Sequence, residues 1–530
     1  MKVHSLWIRE YRVLRDIEIL FSPHPRPGQE EDGDDAVPRA AHALDLLVGV
    51  NGTGKSTALR ALVEVLQRIE GKTSAADLLF RITYERSKDE RITITNVDDH
   101  GTKLLGKFRV WTGGNPTPQE LDDVRQYAPA AYVTYTTGRE APRAVPASDV
   151  DPGLLRTTTE GDYWLREKAG DPPAPAPPPR TTPTQSHFEV TAHDLPLVSL
   201  CGLLQHAAQP PAHVIVREAL EDLGVAQLSA FSLRIDTPLG TSSSLLEKTI
   251  ADLRTAAART RVQGSAYTFV FDLHHKASQD PPSPADLAER QRKAGQVLAG
   301  VSDAFRAESP VGLFRELAAY SRPQAGFPPA LTRVDLFLER RPLAAVRPAL
   351  HTYDWLSDGE RTFLARMCLL SLFGAANALI LLDEPEVHFN DYWKRKLVRL
   401  VDSALDGYHS HAIITTHSSI VLTDARVRQI TVLDRGGDGY TRKPLEPGVP
   451  TFAGDPSDVL MHVFGAEAAA GSKSVNEVRE VLRAYEHALA RPPGTEGRKK
   501  LHNQLERLHR DLGPGYWRFR VADALSRYKE

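Results

Sequence analysis

The chain has 530 residues, 41% hydrophobic and 25% charged, an ordinary globular composition that excludes wholesale disorder and fits roughly two to four structural units. Its 65 Lys and Arg against 68 Asp and Glu leave a net charge of -3, which excludes holding nucleic acid by bulk charge alone while allowing a local basic groove. No apolar run reaches the about 18 residues of a transmembrane helix, the opening MKVHSLWIREYRVLRDIEILF lacks a signal-peptide h-region, and Cys201 and Cys368 stand too far apart in sequence for a disulfide framework or cysteine zinc site, so a cytoplasmic protein without a membrane partner is expected.

Val3–Ile8 and Val13–Phe21 read as two strands joined by a turn, and the polar stretch from Pro23 to Arg39, with its acidic run Glu30 to Asp35, reads as a solvated loop. Leu46–Val50 has the signals of a buried parallel strand, and Thr57–Ile69 those of a helix with Leu59, Leu62, Val63 and Leu66 on one face. Between them stands Gly49-Val50-Asn51-Gly52-Thr53-Gly54-Lys55-Ser56, a complete G-x-x-x-x-G-K-S. Phosphates need several inward-pointing backbone N–H groups. Glycines permit the tight loop that supplies them, and the following helix adds its positive N-terminal end. Asn51, Gly52, Thr53, Gly54, Lys55, Ser56 and Thr57 are therefore expected to bind ATP or GTP, with Lys55 reaching the β- and γ-phosphates and Ser56 a ligand of Mg2+. A structural glycine turn is the alternative.

Residues 78–97 read as a hairpin about Lys88-Asp89-Glu90, and Ala131–Tyr135 as a strand before Thr136-Thr137-Gly138-Arg139. The Pro/Thr-rich stretch 171–185 cannot pack a core and reads as a linker or surface loop. Residues 186–330 alternate helical and strand-like pieces, including LSAFSLRID and YTFVFDLHH. Ser357, with Glu360 three residues on, has the pattern of a capping box opening a helix that runs through Phe373. Ala378–Leu382 is an apolar strand ending in Asp383-Glu384, the Walker B arrangement. There Asp383 is expected to hold Mg2+ and Glu384 to polarise the attacking water, against the plainer reading of a buried strand with a capping Asp. Ile413–Thr416 is a strand ending at His417, and from Asp455 onward the pattern is helical and amphipathic.

Leu356-Ser357-Asp358-Gly359-Glu360 at this distance before Walker B resembles the ABC ATPase signature, and His417, one strand beyond Walker B, is similar to that family's switch histidine. LLVGVNGTGKSTALRAL, Asp383-Glu384-Pro385-Glu386-Val387-His388 followed by Trp393, and Thr415-Thr416-His417-Ser418-Ser419-Ile420-Val421-Leu422 resemble the RecF/SMC/OLD branch, with Ser419 where proline is common and Asp358 in place of a second glycine. Tyr132 to Arg139 and Thr451 to Leu460 are similar to stand-alone ATPases of bacterial defence operons, namely the PtuA family of Septu and some retron systems, with the PARIS-type ATPase subunit as the competing resemblance.

That resemblance implies an α/β fold, a P-loop NTPase of ABC head type with a mixed sheet and flanking helices, a helical and mixed lid insertion, and a helical C-terminal region. It divides the chain into an N-terminal lobe with Walker A (1–150), an inserted lid or arm (151–330), a lobe with signature, Walker B and switch histidine (331–450), and helices for partner or nucleic-acid contact (451–530). It implies ATP hydrolysis with Mg2+, Glu384 and His417 catalytic, and Ser357, Gly359 and Glu360 acting in trans on the nucleotide of a second copy. A homodimer or larger even-numbered assembly follows, with a separate nuclease or toxin partner, HNH-type if Septu-like. Arg12 or Arg15 is expected near adenine; no Q-loop glutamine is recognisable.

Several features lack the pattern that would add a second activity. The Asp32-Gly33-Asp34 and Asp149-Val150-Asp151 stretches read as loops rather than the D-x-D of a TOPRIM nuclease, and His274-His275 read as structural because neighbours on a strand point opposite ways. Arg498-Lys499-Lys500, Arg507, Arg510, Arg518 and Arg520 beside Tyr516, Trp517 and Phe519 form either a nucleic-acid or partner surface or a solvated face. The rival readings are a RecF-like repair ATPase binding DNA ends or junctions, and a scaffold whose oligomer ATP holds together.

Overall fold

The computed structural model describes the chain apart from residues 23–40, 73–77, 88–89, 114–116, 137–186, 211–213, 238–243, 274–283, 324–327, 341–349, 467–470, 491–493 and 529–530. The acidic loop, both D-x-D stretches, the Pro-rich segment and His274-His275 lie outside the described residues. The chain divides into two compact units, Met1–Ala453 and Gly454–Glu530.

The larger unit opens with the antiparallel pair β1 (Lys2–Tyr11) and β2 (Leu14–Leu20), followed by β3 (Ala43–Val48) and the helix α1 (Lys55–Ile69). β4 (Phe80–Ser87), β5 (Glu90–Thr95), β6 (Phe108–Thr112) and β7 (Gln119–Leu121) extend the first pair into an antiparallel sheet of order β2-β1-β4-β5-β6-β7. β8 (Tyr132–Thr136) and β9 (His187–Val190) pair in parallel.

Next come α2 (Leu195–Ala208), α3 (Val214–Asp222), β10 (Val225–Asp236), α4 (Ser244–Ala256), β11 (Arg259–Gln263), β12 (Ala266–Asp272), α5 (Pro284–Phe305), α6 (Pro310–Tyr320), β13 (Leu331–Arg340) and β14 (Leu350–Thr352). Their strands form an antiparallel sheet of order β11-β12-β10-β13-β14, which straddles residue 330 because β13 pairs with β10 along nearly its whole length.

The unit closes with α7 (Asp358–Gly374), β15 (Leu379–Asp383), α8 (Asp391–Leu405), β16 (His411–Thr416), α9 (Ser419–Leu422), β17 (Ile430–Leu433) and β18 (Pro444–Leu445). These strands and three earlier ones make the central sheet, β18-β17-β3-β16-β15-β8-β9, parallel from β17 to β9. Its middle strands, ALDLLV, HAIITT and LILLD, are buried on both faces except at Asp383, as expected of a covered parallel sheet.

α1 is buried around most of its circumference because it lies between two sheets. One core contains its Leu59, Leu62, Val63 and Leu66 with Leu6, Ile17 and Ile82 of the antiparallel sheet and Leu381 and Ile413 of the parallel one. Each such buried leucine or isoleucine contributes about 1.5–3 kcal/mol. α7 is buried from Thr362 to Gly374, and it meets α2 where Gly202 lies against Cys368; both cysteines are free and buried. The smaller unit contains α10 (Pro456–Val463), α11 (Ser472–Ala490), α12 (Thr495–Asp511) and α13 (Tyr516–Tyr528), the last three packed around Val478, Leu482, Leu505 and Val521.

Candidate active site

The site lies at the C-terminal ends of β3, β15 and β16, three adjacent parallel strands. β3 runs into a loop whose glycines have positive φ, 151° at Gly49, 85° at Gly52 and 99° at Gly54. A side chain is excluded twice over at Gly54: the dihedral is left-handed, and a Cβ would fall 2.8 Å from Leu14 Cδ2. The β1–β2 turn thus packs directly on the loop. Thr441 donates from Oγ1 to the Thr53 carbonyl at 2.7 Å, tying the far edge of the loop to the segment near β18.

α1 begins at Lys55 with Gly54 as its N-cap and no side-chain cap, so no side chain occupies the amides at its start, and no acidic residue stands in the first turn. That leaves an anion-binding helix terminus. Thr53 and Lys55 are buried, Ser56 and Thr57 half-buried, and Asn51 and Gly52 exposed at the lip. The Lys55 ammonium donates to the carbonyls of Gly49 at 2.8 Å and Val50 at 3.2 Å. Burial lowers its pKa, opposed by the charges of Glu384, Asp383 and Glu386.

From the other half of the chain, Asp383 ends β15 and accepts from Ser56 Oγ at 2.8 Å and from Thr415 Oγ1 at 2.6 Å. The Glu384 N–H donates to Thr415 Oγ1 at 3.0 Å, which fixes the residue at φ 47° as the chain leaves the sheet. Its carboxylate meets His417 Nδ1 at 3.2 Å and stands 4.0 Å from the Lys55 ammonium. The side chains of Glu384 and His417 are 26% and 49% exposed, so this pair faces the solvent side, where a ligand and a water can reach it. A glycine-rich loop between a parallel strand and a helix, with two carboxylates at the end of a neighbouring strand, is the arrangement of a P-loop nucleotide-binding fold.

The structure thus brings Lys55, Ser56, Asp383, Glu384 and His417 into one constellation from segments more than 300 residues apart. Ser357, Gly359 and Glu360 form a separate group at the start of α7. Ser357 Oγ accepts from the Glu360 N–H at 3.3 Å, while Glu360 accepts from the Ser357 N–H at 2.8 Å, the capping box expected from the sequence. Gly359 has a packing reason of its own, since a Cβ there would lie 2.8 Å from the His388 carbonyl oxygen. Arg15 stacks at 3.9 Å over Tyr440 and donates to Glu10, and Arg12 sits at φ 56° on the turn that covers Gly54.

Sequence reasoning missed the support behind these residues. Arg366, in the apolar run of α7, and Glu386, two residues after Glu384, are 1% and 2% exposed. A charged residue inside FLARMCLLSLF was the available signal for the first; for the second it was the DEPE stretch itself. Thr415 stood in the quoted Thr415–Leu422 stretch without a role of its own, and Thr441 carried no signal, because a threonine in a loop is ordinary.

Residues 234–424, which run from the end of β10 through α9 and exclude the phosphate loop, match the family described as "AAA domain, putative AbiEii toxin, Type IV TA system". The "Retron Vc95 probable ATPase" of Vibrio cholerae serotype O1 biovar El Tor is 26% identical over 166 residues, 29% of this chain and 30% of that protein, so the similarity spans less than a third of the relative's length. Among solved structures, the Smc head domain of Pyrococcus furiosus with an extended coiled coil, bound to the C-terminal domain of ScpA, is similar at 12% identity and TM-score 0.32, over 84% of this chain and 96% of that one. The SMC head domain from Thermotoga maritima is similar at 10% identity and TM-score 0.34, over 85% and 100%. Among the described residues, no helix is long and apolar enough to cross a membrane.

Proposed function

We propose that the chain hydrolyses ATP at the Lys55 loop, in sites completed by a second copy of itself, and that this cycle controls a separate nuclease or toxin in antiphage defence. The observation that carries the hydrolytic reading is the contact of Glu384 with His417 at 3.2 Å, beside the Ser56–Asp383 bond and within 4.0 Å of Lys55. A carboxylate that only capped a strand would need no exposed imidazole partner facing a phosphate loop.

In this reading the loop amides and the start of α1 hold the β- and γ-phosphates, and Lys55 exchanges its carbonyl partners for phosphate oxygens. Ser56 and Asp383 would hold Mg2+; a hydroxyl and a carboxylate held 2.8 Å apart are the hard oxygen donors that ion takes together with phosphates. Bound there, Mg2+ supplies positive charge against the triphosphate. Glu384 accepts the proton of the attacking water as its oxygen bonds to the γ-phosphorus and the bond to the ADP oxygen breaks. His417 orients Glu384 and supplies a hydrogen-bond donor for the charge that develops. Ser357, Gly359 and Glu360 of the second copy would cover the γ-phosphate from the opposite side, so a homodimer or larger even-numbered assembly is the active form.

The defence role is supported by the partial similarity to the retron ATPase and to the AbiEii-described family. Within it, the Septu PtuA family is the branch we assign, with an HNH-type nuclease as partner, a cytoplasmic location, and DNA as a further contact of the C-terminal helices. There Tyr516 and Phe519 are 60% and 69% exposed beside Arg520. The two lobes of the head and the lid or arm would divide elsewhere than at residues 150 and 330, because β9 belongs to the central sheet and β13 and β14 to the antiparallel sheet of β10 to β12; 451–530 would be the contact region.

A nuclease-treated pull-down of Glu384→Gln, expressed with its native operon and read by mass spectrometry, tests this role. A stoichiometric nuclease or toxin is the expected result. Recovery of the chain alone, with affinity for DNA ends when the nuclease treatment is omitted, would replace it with the repair reading.

A further inference from the structure

Behind the site lies a second polar group that the mechanism above does not use. The Arg366 guanidinium donates from Nη1 to the carbonyls of Pro385 and Val387, the latter at 3.0 Å, and from Nη2 to Tyr135 Oη at 3.2 Å. Its Cζ lies over the rings of Tyr135 and Phe389, 5.0 and 4.8 Å from their centroids. The two carbonyls flank Glu386, whose carboxylate accepts from Thr416 Oγ1, the residue directly before His417. Arg366 therefore grips the turn that follows Glu384, and Glu386 reaches from that turn to the strand end that carries His417.

The turn needs holding. Glu384 and His388 have φ of 47° and 71°, left-handed conformations that cost non-glycine residues energy and persist only where surroundings over-determine them. Stability alone does not account for the choice of side chains. An apolar residue of similar volume is generally as good as or better than a buried charge, and the positions on either side of Arg366 in α7 are apolar. What a guanidinium adds is a planar fork that fixes two carbonyls and a hydroxyl at once. Burial raises the Glu386 pKa and lowers that of Arg366, so the charged form of each carries a desolvation cost.

We propose that Arg366 and Glu386 are positioning residues for hydrolysis: together they set the distance and angle between Glu384 and His417 through the turn at 385–389 and through Thr416. The inference rests on the ATPase reading of the site. Neither group touches nucleotide; their effect is on the geometry of the residues that do.

The test is steady-state ATP hydrolysis by the full chain, with kcat expressed per nucleotide-binding site from a fluorescent-nucleotide titration. Arg366→Met keeps the volume and removes the fork, and kcat should fall by about 10- to 100-fold while KM and nucleotide affinity stay within about threefold, the split expected when reacting groups are misplaced and the phosphate loop is untouched. Arg366→Lys, which can still donate to both carbonyls, should recover part of the loss. Thr416→Val keeps the β-branched shape, removes the donor to Glu386, and should lower kcat in the same direction; it also serves if Arg366→Met does not fold. A kcat per site equal to wild type in Arg366→Met or in Thr416→Val would overturn the proposal. If the wild type itself releases no phosphate, the ATPase reading fails. The strut is then judged by amide exchange in the nucleotide-free protein, where Arg366→Met should speed Val387 and Phe389 by about tenfold or more and unchanged exchange would refute it.

Discussion

Replacing Glu384 by glutamine separates chemistry from binding and from stability. The amide keeps the length of the side chain and an acceptor for His417, 3.2 Å away, and removes the charge that stands 4.0 Å from Lys55. Two unit charges at that distance attract by about 1 kcal/mol in water and about 4 kcal/mol at intermediate dielectric. Glu384 is 26% exposed, so the loss to folding lies toward the lower figure, about 1 kcal/mol or less. Loss of a general base costs about 10^2- to 10^4-fold in rate, or about 2.7–5.5 kcal/mol of barrier. The catalytic effect therefore exceeds the structural one, and the variant should remain folded, bind ATP at least as tightly as wild type, and accumulate as the closed assembly. Phosphate release, nucleotide titration and size analysis with and without ATP report the three quantities. A kcat within about threefold of wild type would refute the assignment of Glu384 as the base.

Lys55→Ala removes the ammonium that the loop carbonyls now hold, and nucleotide affinity should fall by about 10- to 100-fold, the worth of a charge-assisted hydrogen bond; equal affinity in a fluorescence titration would remove the loop from the site. Gly359→Ala places a methyl 2.8 Å from the His388 carbonyl oxygen and should cost about 1–3 kcal/mol, seen as a lower Tm; an unchanged melt would mean that the start of α7 does not pack on that turn. His187 is stacked on Tyr132 and bonded to Thr134, and burial first, then Lys72 and Arg322, push its pKa down to about 4. It is neutral when folded and protonates more readily when unfolded. Its contribution is therefore fully present above pH 6.5 and is lost as pH falls to about 4, worth about 3 kcal/mol. Denaturant melts of His187→Asn should lack that part of the acid slope, and identical slopes would contradict it.

Much of this site was legible in the sequence because its chemistry is carried by contiguous runs. A glycine loop that must cradle phosphate, a strand that must end in two carboxylates and a helix that must open with a capping box all leave local spacing, and β3, α1, β15, β16 and α7 follow it. What bound these runs into one site was not local. The Ser56–Asp383 bond spans 327 residues, and Thr415, which aligns Asp383 and Glu384, looks like any strand threonine. Arg366 was hidden for the opposite reason, since a charge in an apolar helix reads as a break in pattern until the turn it grips is seen, and Glu386, in that turn, stood in the DEPE stretch with no role of its own. The antiparallel sheet of β10 to β14 was recognisable strand by strand, whereas its pairing across residue 330 depends on the register of β10 with β13.

The central claim, a nucleotide site shared between two copies, is tested most directly by mixing two inactive variants. Ser357→Arg should block hydrolysis while sparing nucleotide binding by the isolated chain, because Ser357 is exposed and its hydrogen bonds stay within its own capping box. Lys55→Ala, with an affinity about 10- to 100-fold lower, should stay empty at an ATP concentration near the wild-type Kd. In a mixed dimer, the phosphate loop of the first meets the intact signature of the second, and equal amounts should restore about a quarter of the wild-type rate, one working site in each of the mixed half of the dimers. Ser357→Arg at full activity alone, or a mixture that exchanges subunits and stays inactive, would contradict the shared site.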